Sequence, residues 1–386
     1  MSSSFTHGLF WNGIFNDADQ NLGFLEKAII NKSFLKNFKN PYYVYTGNSK
    51  IEMFEELFLP EETIERLNDQ GLHIFLYETL CLRVNGKHNF SFYSELAVDS
   101  KDTVSSDTLD SILTFIKNNN LKSVKIYITD CNTAFLQRFY PELDIFTLDL
   151  YLLQISADLS GKPLIENNFT KKFWCGNRRY TVHRHLIMSK LVSLDGNYSW
   201  PYECDIDVLK KNCWFDDFTD QTTTSCSLLN QKDLRIDYTS PKIKVEDFYH
   251  KIPEGNITLS SELISSYADS FCAIVNESRF AQPMANLSEK TLWPLYYKMP
   301  IVLVAPPYSL HYFKSLGFKT FDRWWDESYD YILNHQDRLK KIFEVIDYID
   351  SKSIEELKTF RKEMQEVLEH NHQTAINLKN ILSNIF

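Results

Sequence analysis

Residues Phe271–Phe321 read FCAIVNESRFAQPMANLSEKTLWPLYYKMPIVLVAPPYSLHYFKSLGFKTF, and this stretch decides the fold class. A short apolar run, Phe271–Val275, ends at Asn276-Glu277. A second, Ile301–Ala305, ends in Ala-Pro-Pro. Between them Ser288 stands where a helix should begin, a fitting N-cap with Glu289 and Lys290 in the first turn. A further helical stretch leads to Gly317-Phe318. Brief apolar runs with helices between them read as strands of a parallel sheet covered on both faces.

The same alternation extends in both directions. Upstream, Phe173–Cys175 is short and apolar, and Tyr180–Val192 is helix-like. Ser193–Ser240 carries acids, Trp200 and Trp214 with little periodicity, and reads as long loops with short elements. A helix over Leu259–Tyr267 restores the pattern. Nearer the N-terminus, Pro41–Thr46, Leu72–Tyr77, Val124–Thr129 and Ile145–Leu153 read as strands. Glu52–Asn68 and Thr108–Asn119 read as helices, with apolar residues three and four apart. The polar segment Lys162–Thr170 is the best linker. Downstream, Tyr331–Phe386 is helical, with Ile342, Val345 and Ile349 on one face. The expected architecture is α/β: two doubly wound, Rossmann-like domains, residues 1–160 and 161–330, and a C-terminal helical segment, 331–386. This agrees with 386 residues at roughly 100–200 per domain.

Composition narrows the function classes. The chain is 44% hydrophobic and 24% charged, which excludes disorder and collagen-like repeats. The net charge, 41 − 51 = −10, argues against a protein that coats nucleic acid over its whole surface, though not against a local basic groove. The cysteine count is seven, an odd number, and no pair has metal-knuckle spacing. Free thiols in a reducing cytosol are expected, with no signal peptide and no membrane span.

One window is unlike the rest. Asn167–Leu194 contains no Asp or Glu, yet holds Lys171, Lys172, Arg178, Arg179, Arg184 and Lys190, with His183 and His185. Its Cys-Gly-Asn-Arg-Arg turn falls where a strand should feed a helix, the junction at which open α/β sheets bind anions. Gly176 permits close backbone approach, and the arginines add bidentate phosphate recognition. The plainer alternative is a solvated basic helix face, with both histidines on the helix surface or beside a phosphate. At the start of the later helix, Glu289 can hold a ribose diol and Lys290 can neutralise a phosphate; an ordinary capped helix is the alternative.

The order of strand, Glu277, loop, Glu289-Lys290 at a helix start, a Pro-Ile-Val strand and then Leu-Gly-Phe-Lys-Thr-Phe resembles the donor half of GT-B glycosyltransferases. It is similar in particular to the fucosyltransferase-like branch. The resemblance covers Lys171–Asp330, and Asp326-Glu-Ser-Tyr-Asp330 also resembles a family of phage-encoded proteins of this type. It implies a two-domain GT-B fold facing a cleft, with a nucleotide-sugar co-substrate and no metal or other cofactor. It further implies that Glu277, Glu289 and Lys290 hold the nucleotide, with Gly176, Arg178, Arg179 and Arg184 near the diphosphate. The insert Ser193–Ser240, the missing anchor and the absence of a Golgi-type cysteine framework depart from fucosyltransferases.

If the enzyme inverts, its base is a carboxylate or a histidine at the C-terminal end of an N-domain strand. Asp130 after VKIYIT and Glu78 after LHIFLY satisfy that placement; Glu95 is third, and Asp17 and Asp19 are weaker. Asp205-Ile-Asp207 matches a metal-binding pattern in letters but lies in the irregular insert, so no metal is expected. The favoured function is a phage-type enzyme, in the host cytoplasm, that glycosylates a hydroxymethylated pyrimidine in DNA. Aromatic and basic loops such as Thr6–Phe15 would serve base flipping. The alternatives are a glycan-modifying transferase, a non-catalytic nucleotide-sugar-binding protein, and a sugar-nucleotide epimerase.

Overall fold

The computed structural model describes residues 9–10, 40–45, 58–76, 83–88, 103–128, 136–147, 152, 156, 159, 164, 168–177, 181–199, 261–281 and 287–383. The chain divides into two units, Met1–Phe90 with Val98–Gln154, and Ser91–Ala97 with Ile155–Phe386. Residues 331–386 therefore cluster with the second unit.

In the first unit the described elements are β1 (Leu9–Phe10), β2 (Tyr42–Tyr45), α1 (Glu61–Gln70), β3 (Leu72–Leu76), β4 (Arg83–Val84), β5 (Lys87–His88), β6 (Val104–Ser105), α2 (Asp107–Asn118), β7 (Val124–Ile128) and β8 (Asp144–Thr147). One sheet has the order β1-β2-β3-β7-β8, parallel except for β1. A small antiparallel sheet has the order β5-β4-β6. β3 is buried along its whole length, which is why its sequence is a continuous apolar run with one histidine. That residue, His73, stacks on Tyr127 and meets its hydroxyl at 3.0 Å; burial, then Lys125, pushes its pKa down to about 4. Helix α2 begins where the Ser106 side chain accepts from the Leu109 N–H, and it buries Leu109, Ile112 and Phe115.

Two expectations for this unit need correction. The helix expected over Glu52–Asn68 begins, within the described residues, only at Glu61, and Phe58–Pro60 is not helical. Proline pushes the preceding residue out of the α region and suits the entry to a helix. The run Ile145–Leu153 is not one strand, since β8 ends at Thr147 and Leu152 is helical. Leu152, Ser156 and Leu159, four and three apart, are all buried, which is the helical period.

The second unit contains β9 (Lys171–Gly176), α3 (Val182–Leu191), β10 (Gly196–Ser199), α4 (Ser261–Ala268), β11 (Ser270–Asn276), α5 (Glu289–Tyr296), β12 (Ile301–Val304), α6 (Ser309–Ser315), a 3-10 turn at Ser328–Tyr331, α7 (His335–Asp350), α8 (Ile354–Glu363) and α9 (Gln365–Ser383). Its sheet is wholly parallel, in the order β10-β9-β11-β12. From β9 the chain steps outward to β10, returns on the other side of β9 as β11, and steps on to β12. The order thus reverses between β9 and β11, and open α/β sheets take ligands beyond the C-terminal ends of the strands at such a point. This is an α/β protein with parallel, Rossmann-like sheets.

Strand β10 is a short element within Ser193–Ser240, the stretch expected to hold long loops with short elements. Its sequence, GNYS, has no apolar alternation, because Asn197 is held by Ser270 Oγ at 3.1 Å and Asp269 Oδ2 at 3.4 Å. Residues 200–260 lie outside the described set. The C-terminal segment is helical from His335 rather than from Tyr331. Asn334 caps α7, and Ser353 with Glu356 forms a capping box on α8. Ile342, Val345 and Ile349 are buried, as their spacing requires.

The loop between α6 and α7 buries Glu327. One carboxylate oxygen accepts from the Phe321 N–H at 2.9 Å, while Oε2 has no hydrogen-bond partner. Burial pushes the Glu327 pKa up to about 7, against the pull of the hydrogen bonds from Phe321 and Thr320. The folded carboxyl therefore keeps its proton where the unfolded one has lost it. Its stabilising contribution is complete below the ordinary glutamate range and is lost as pH rises through about 7, an effect of about 3 kcal/mol at about 1.4 kcal/mol per unit. Glu327→Gln should flatten the fall in urea-unfolding stability between pH 5 and pH 8. An unchanged slope would mean that another group carries the titration.

Candidate functional site

The candidate site is built on two strand ends. Asn177, just past β9, and Asn276, at the end of β11, are both buried, and Asn276 Nδ2 donates to Asn177 Oδ1 at 3.1 Å. Both amides also approach Cys175 Sγ at 3.4 Å. The Asn177 N–H bonds to the Ser199 carbonyl and the Glu277 N–H to the Val304 carbonyl, so these positions stay tied to the neighbouring strands. Asn276 Oδ1 is buried without a hydrogen-bond partner. Gly176 is the last residue of β9 and is buried.

Helix α3 forms one wall, and every residue from Val182 to Ser189 is buried. This overturns both the solvated basic face and the surface placement of His183 and His185. The His183 ring bonds through Nε2 to the Glu277 carbonyl at 3.0 Å, and its Nδ1 lies 3.2 Å from Thr181 Oγ1. A carbonyl can only accept, so Nε2 carries the proton and Nδ1 accepts from the threonine hydroxyl. Burial, then Arg184, pushes the His183 pKa down to about 3, which keeps the ring neutral. Arg184, only 2% exposed, donates from Nη2 to the Asn276 carbonyl at 3.2 Å. The lysines of the acid-free window meet acids from outside it: Lys171 with Asp195, Lys172 with Asp350, and Lys190 with Asp347. At the start of α3 the Thr181 side chain makes no cap, and the first turn holds no acid. Arg178 and Arg179 lie outside the described residues.

Helix α5 forms the other wall. Glu277, with no exposure, accepts through Oε1 from the Ser288 N–H at 2.8 Å and the Thr291 hydroxyl at 2.6 Å. Its Oε2 accepts from the Ser288 hydroxyl at 2.6 Å. A carboxylate at a helix N-terminus satisfies N–H groups with no partner inside the helix and complements the dipole. Burial raises the Glu277 pKa, opposed by Lys290 and by the bonds from Ser288 and Thr291. Ser288 is the N-cap expected from the sequence, accepting from the Lys290 N–H. Lys290 Nζ reaches Glu289 Oε1 at 2.8 Å and Ser288 Oγ at 3.1 Å, and both charged side chains are about one-fifth exposed. The anion slot of α5 is thus filled from within by Glu277, while Glu289 and Lys290 sit paired at its rim.

Of the residues expected to bind donor, the fold brings Gly176, Arg184, Glu277, Glu289 and Lys290 to the C-terminal edge of one sheet. Asn177, Asn276 and the linking role of His183 were not singled out. A polar residue closing each of two apolar runs was the available signal. The candidate bases Asp130, Glu78 and Glu95, the weaker Asp17 and Asp19, and Asp205 and Asp207 lie outside the described residues. Among the described residues no group of three or more His, Cys, Asp or Glu could hold a metal, and no helix is long and apolar enough to cross a membrane. Chemically, the crevice offers one helix start that its own side chains do not cap and another carrying a carboxylate–ammonium pair. No family model, curated protein sequence or solved structure matches the chain.

Proposed function

We propose that the chain is a metal-independent, nucleotide-sugar-dependent glycosyltransferase of GT-B type, with the second unit holding the donor and the first the acceptor. The observation that carries this is the reversal of strand order between β9 and β11, flanked by an α3 start without acids and an α5 start bearing Glu289 and Lys290. Diphosphate fits the α3 side, where Arg178 and Arg179 precede the helix and its N-terminus favours negative charge. It does not fit the α5 slot, where the Glu277 carboxylate would repel it. Glu289 is suited to a ribose diol, and Lys290 would exchange its bond to Glu289 for one to phosphate.

Catalysis would rest on cations and helix dipoles stabilising the departing diphosphate. The base would come from the first unit, with Asp130 first in rank, then Glu78; Glu95, third, clusters instead with the second unit. The proposed acceptor is a hydroxymethylated pyrimidine in DNA, the cell a phage-infected host. The test is calorimetric titration with nucleoside diphosphates, followed by transfer from the matching nucleotide sugars to DNA containing hydroxymethylcytosine or hydroxymethyluracil. Arg178→Ala with Arg179→Ala should weaken diphosphate binding by about 10²-fold or more, because each charge-assisted contact contributes roughly 1.5–3 kcal/mol. Unchanged binding in that variant would move the phosphates elsewhere. Donor binding with no transfer to DNA or glycan would favour a binding protein, and conversion of the sugar nucleotide alone an epimerase.

A further inference from the structure

We propose that Tyr308 and Tyr331 form the platform on which the nucleobase of the donor stacks, a deepening that rests on the nucleotide-sugar reading of the same crevice. Tyr308 follows β12 after Ala305-Pro306-Pro307, at the edge of the sheet where the β9 and β11 ends lie. Its φ is 65°, the left-handed region that a bulky residue rarely enters, and such outliers gather at ligand sites. The conformation is held in place. The Tyr308 N–H bonds to the Asp330 carbonyl at 2.7 Å, and the Asp330 carboxylate accepts from the Leu310 and His311 N–H groups at 2.8 and 3.1 Å.

This clamp sets Tyr308 edge-to-face with Tyr331, ring centres 5.9 Å apart and planes at 75°. Tyr331 is nonetheless 57% exposed and Leu333 56%. Ile332 between them is extended and ends the 3-10 turn. A lone exposed aromatic needs no explanation. An aromatic pair built on strained backbone, next to an apolar neighbour and at the ligand edge, does. Arg338 fixes its position, donating to the Ile332 and Leu333 carbonyls and also to the Phe280 carbonyl in the loop that follows β11.

The linear order of a nucleotide matches the order of the strands. With phosphates at β9 and α3 and ribose at the α5 start beyond β11, the base falls one strand further along. Neighbouring strands are about 4.7–4.9 Å apart, roughly the step from a ribose to its base. That step ends beyond β12, at Tyr308 and Tyr331.

Titrating the full chain with GDP, UDP, ADP, CDP and inorganic pyrophosphate tests this. Tyr331→Ala should weaken the best-bound nucleoside diphosphate by about 10- to 100-fold, the range for one lost base–aromatic stack, and leave pyrophosphate unchanged. Tyr331→Phe should bind like wild type, since the ring and not the hydroxyl is used. The pair Arg178→Ala, Arg179→Ala should weaken both kinds of ligand. Equal losses for nucleotide and pyrophosphate in Tyr331→Ala, or none, would overturn the platform. So would wild type binding pyrophosphate as tightly as every nucleotide, which leaves the anion site standing. Binding of neither ligand defeats the nucleotide reading itself. A self-association that Tyr331→Ala abolishes, with nucleotide binding intact, would reassign the patch to a contact between copies.

Discussion

Truncating Arg338 to alanine should lower the unfolding free energy by about 3–5 kcal/mol, the range for removing one member of a buried charged network. The side chain has no exposure. Nη1 donates to the Ile332 carbonyl at 2.6 Å and the Leu333 carbonyl at 3.2 Å, and Nη2 donates to the Phe280 carbonyl. The guanidinium lies 4.4 Å from the centre of the Phe280 ring, and His183 also stacks on that ring, at 5.4 Å. Alanine would strip all three carbonyls of this donor and remove the cation from the ring. Arg338→Lys should recover less than half, because an ammonium cannot reproduce a fork that serves two segments at once. Equilibrium unfolding in urea measures both. A loss below about 1 kcal/mol in Arg338→Ala would mean that the loop carbonyls find other donors.

The largest functional effect is expected at the base. Asp130→Ala should cut sugar transfer by about 10²–10⁴-fold while leaving nucleoside diphosphate binding unchanged. Leu76 and Ile128 are register partners at the ends of β3 and β7, and Glu78 and Asp130 each follow their own strand by two residues. Glu78→Ala is the natural comparison, and Glu95→Ala the control for the remaining candidate. Near-normal transfer in all three variants would mean either a mechanism that retains configuration or a base on another element.

The strands that read most plainly from sequence are those buried on both faces. Phe271–Val275 and Ile301–Val304 are continuous apolar runs in strands buried along their whole length. Ser288 was legible because capping is local chemistry, settled within three residues. What stayed hidden depends on partners far along the chain. That β10 is a strand rests on Asp269 and Ser270 meeting Asn197, which its own sequence does not record. Arg184 and His183 look like surface groups until the Asn276 and Glu277 carbonyls take their hydrogens. The acid-free window reads as unpaired cations, yet Asp195, Asp347 and Asp350 meet its lysines from outside it. Glu277 was legible as the acid closing a strand, but not as the group that fills the start of α5. Local spacing identifies elements and caps; it carries no record of which buried polar group meets which.

The strand order also says how the second unit comes together. β9 with α3 and β10 is one contiguous stretch of chain, and β11 with α5 and β12 is another. Each closes through a short helical crossover. The β9–β11 pairing joins them across everything from residue 200 to 269, so it carries the largest loop-closure entropy of the sheet, and contacts of such separation form slowly. The contact between Asn177 and Asn276 lies on the seam of that joining. A ligand touching both strand ends binds only the joined form and stabilises it by mass action.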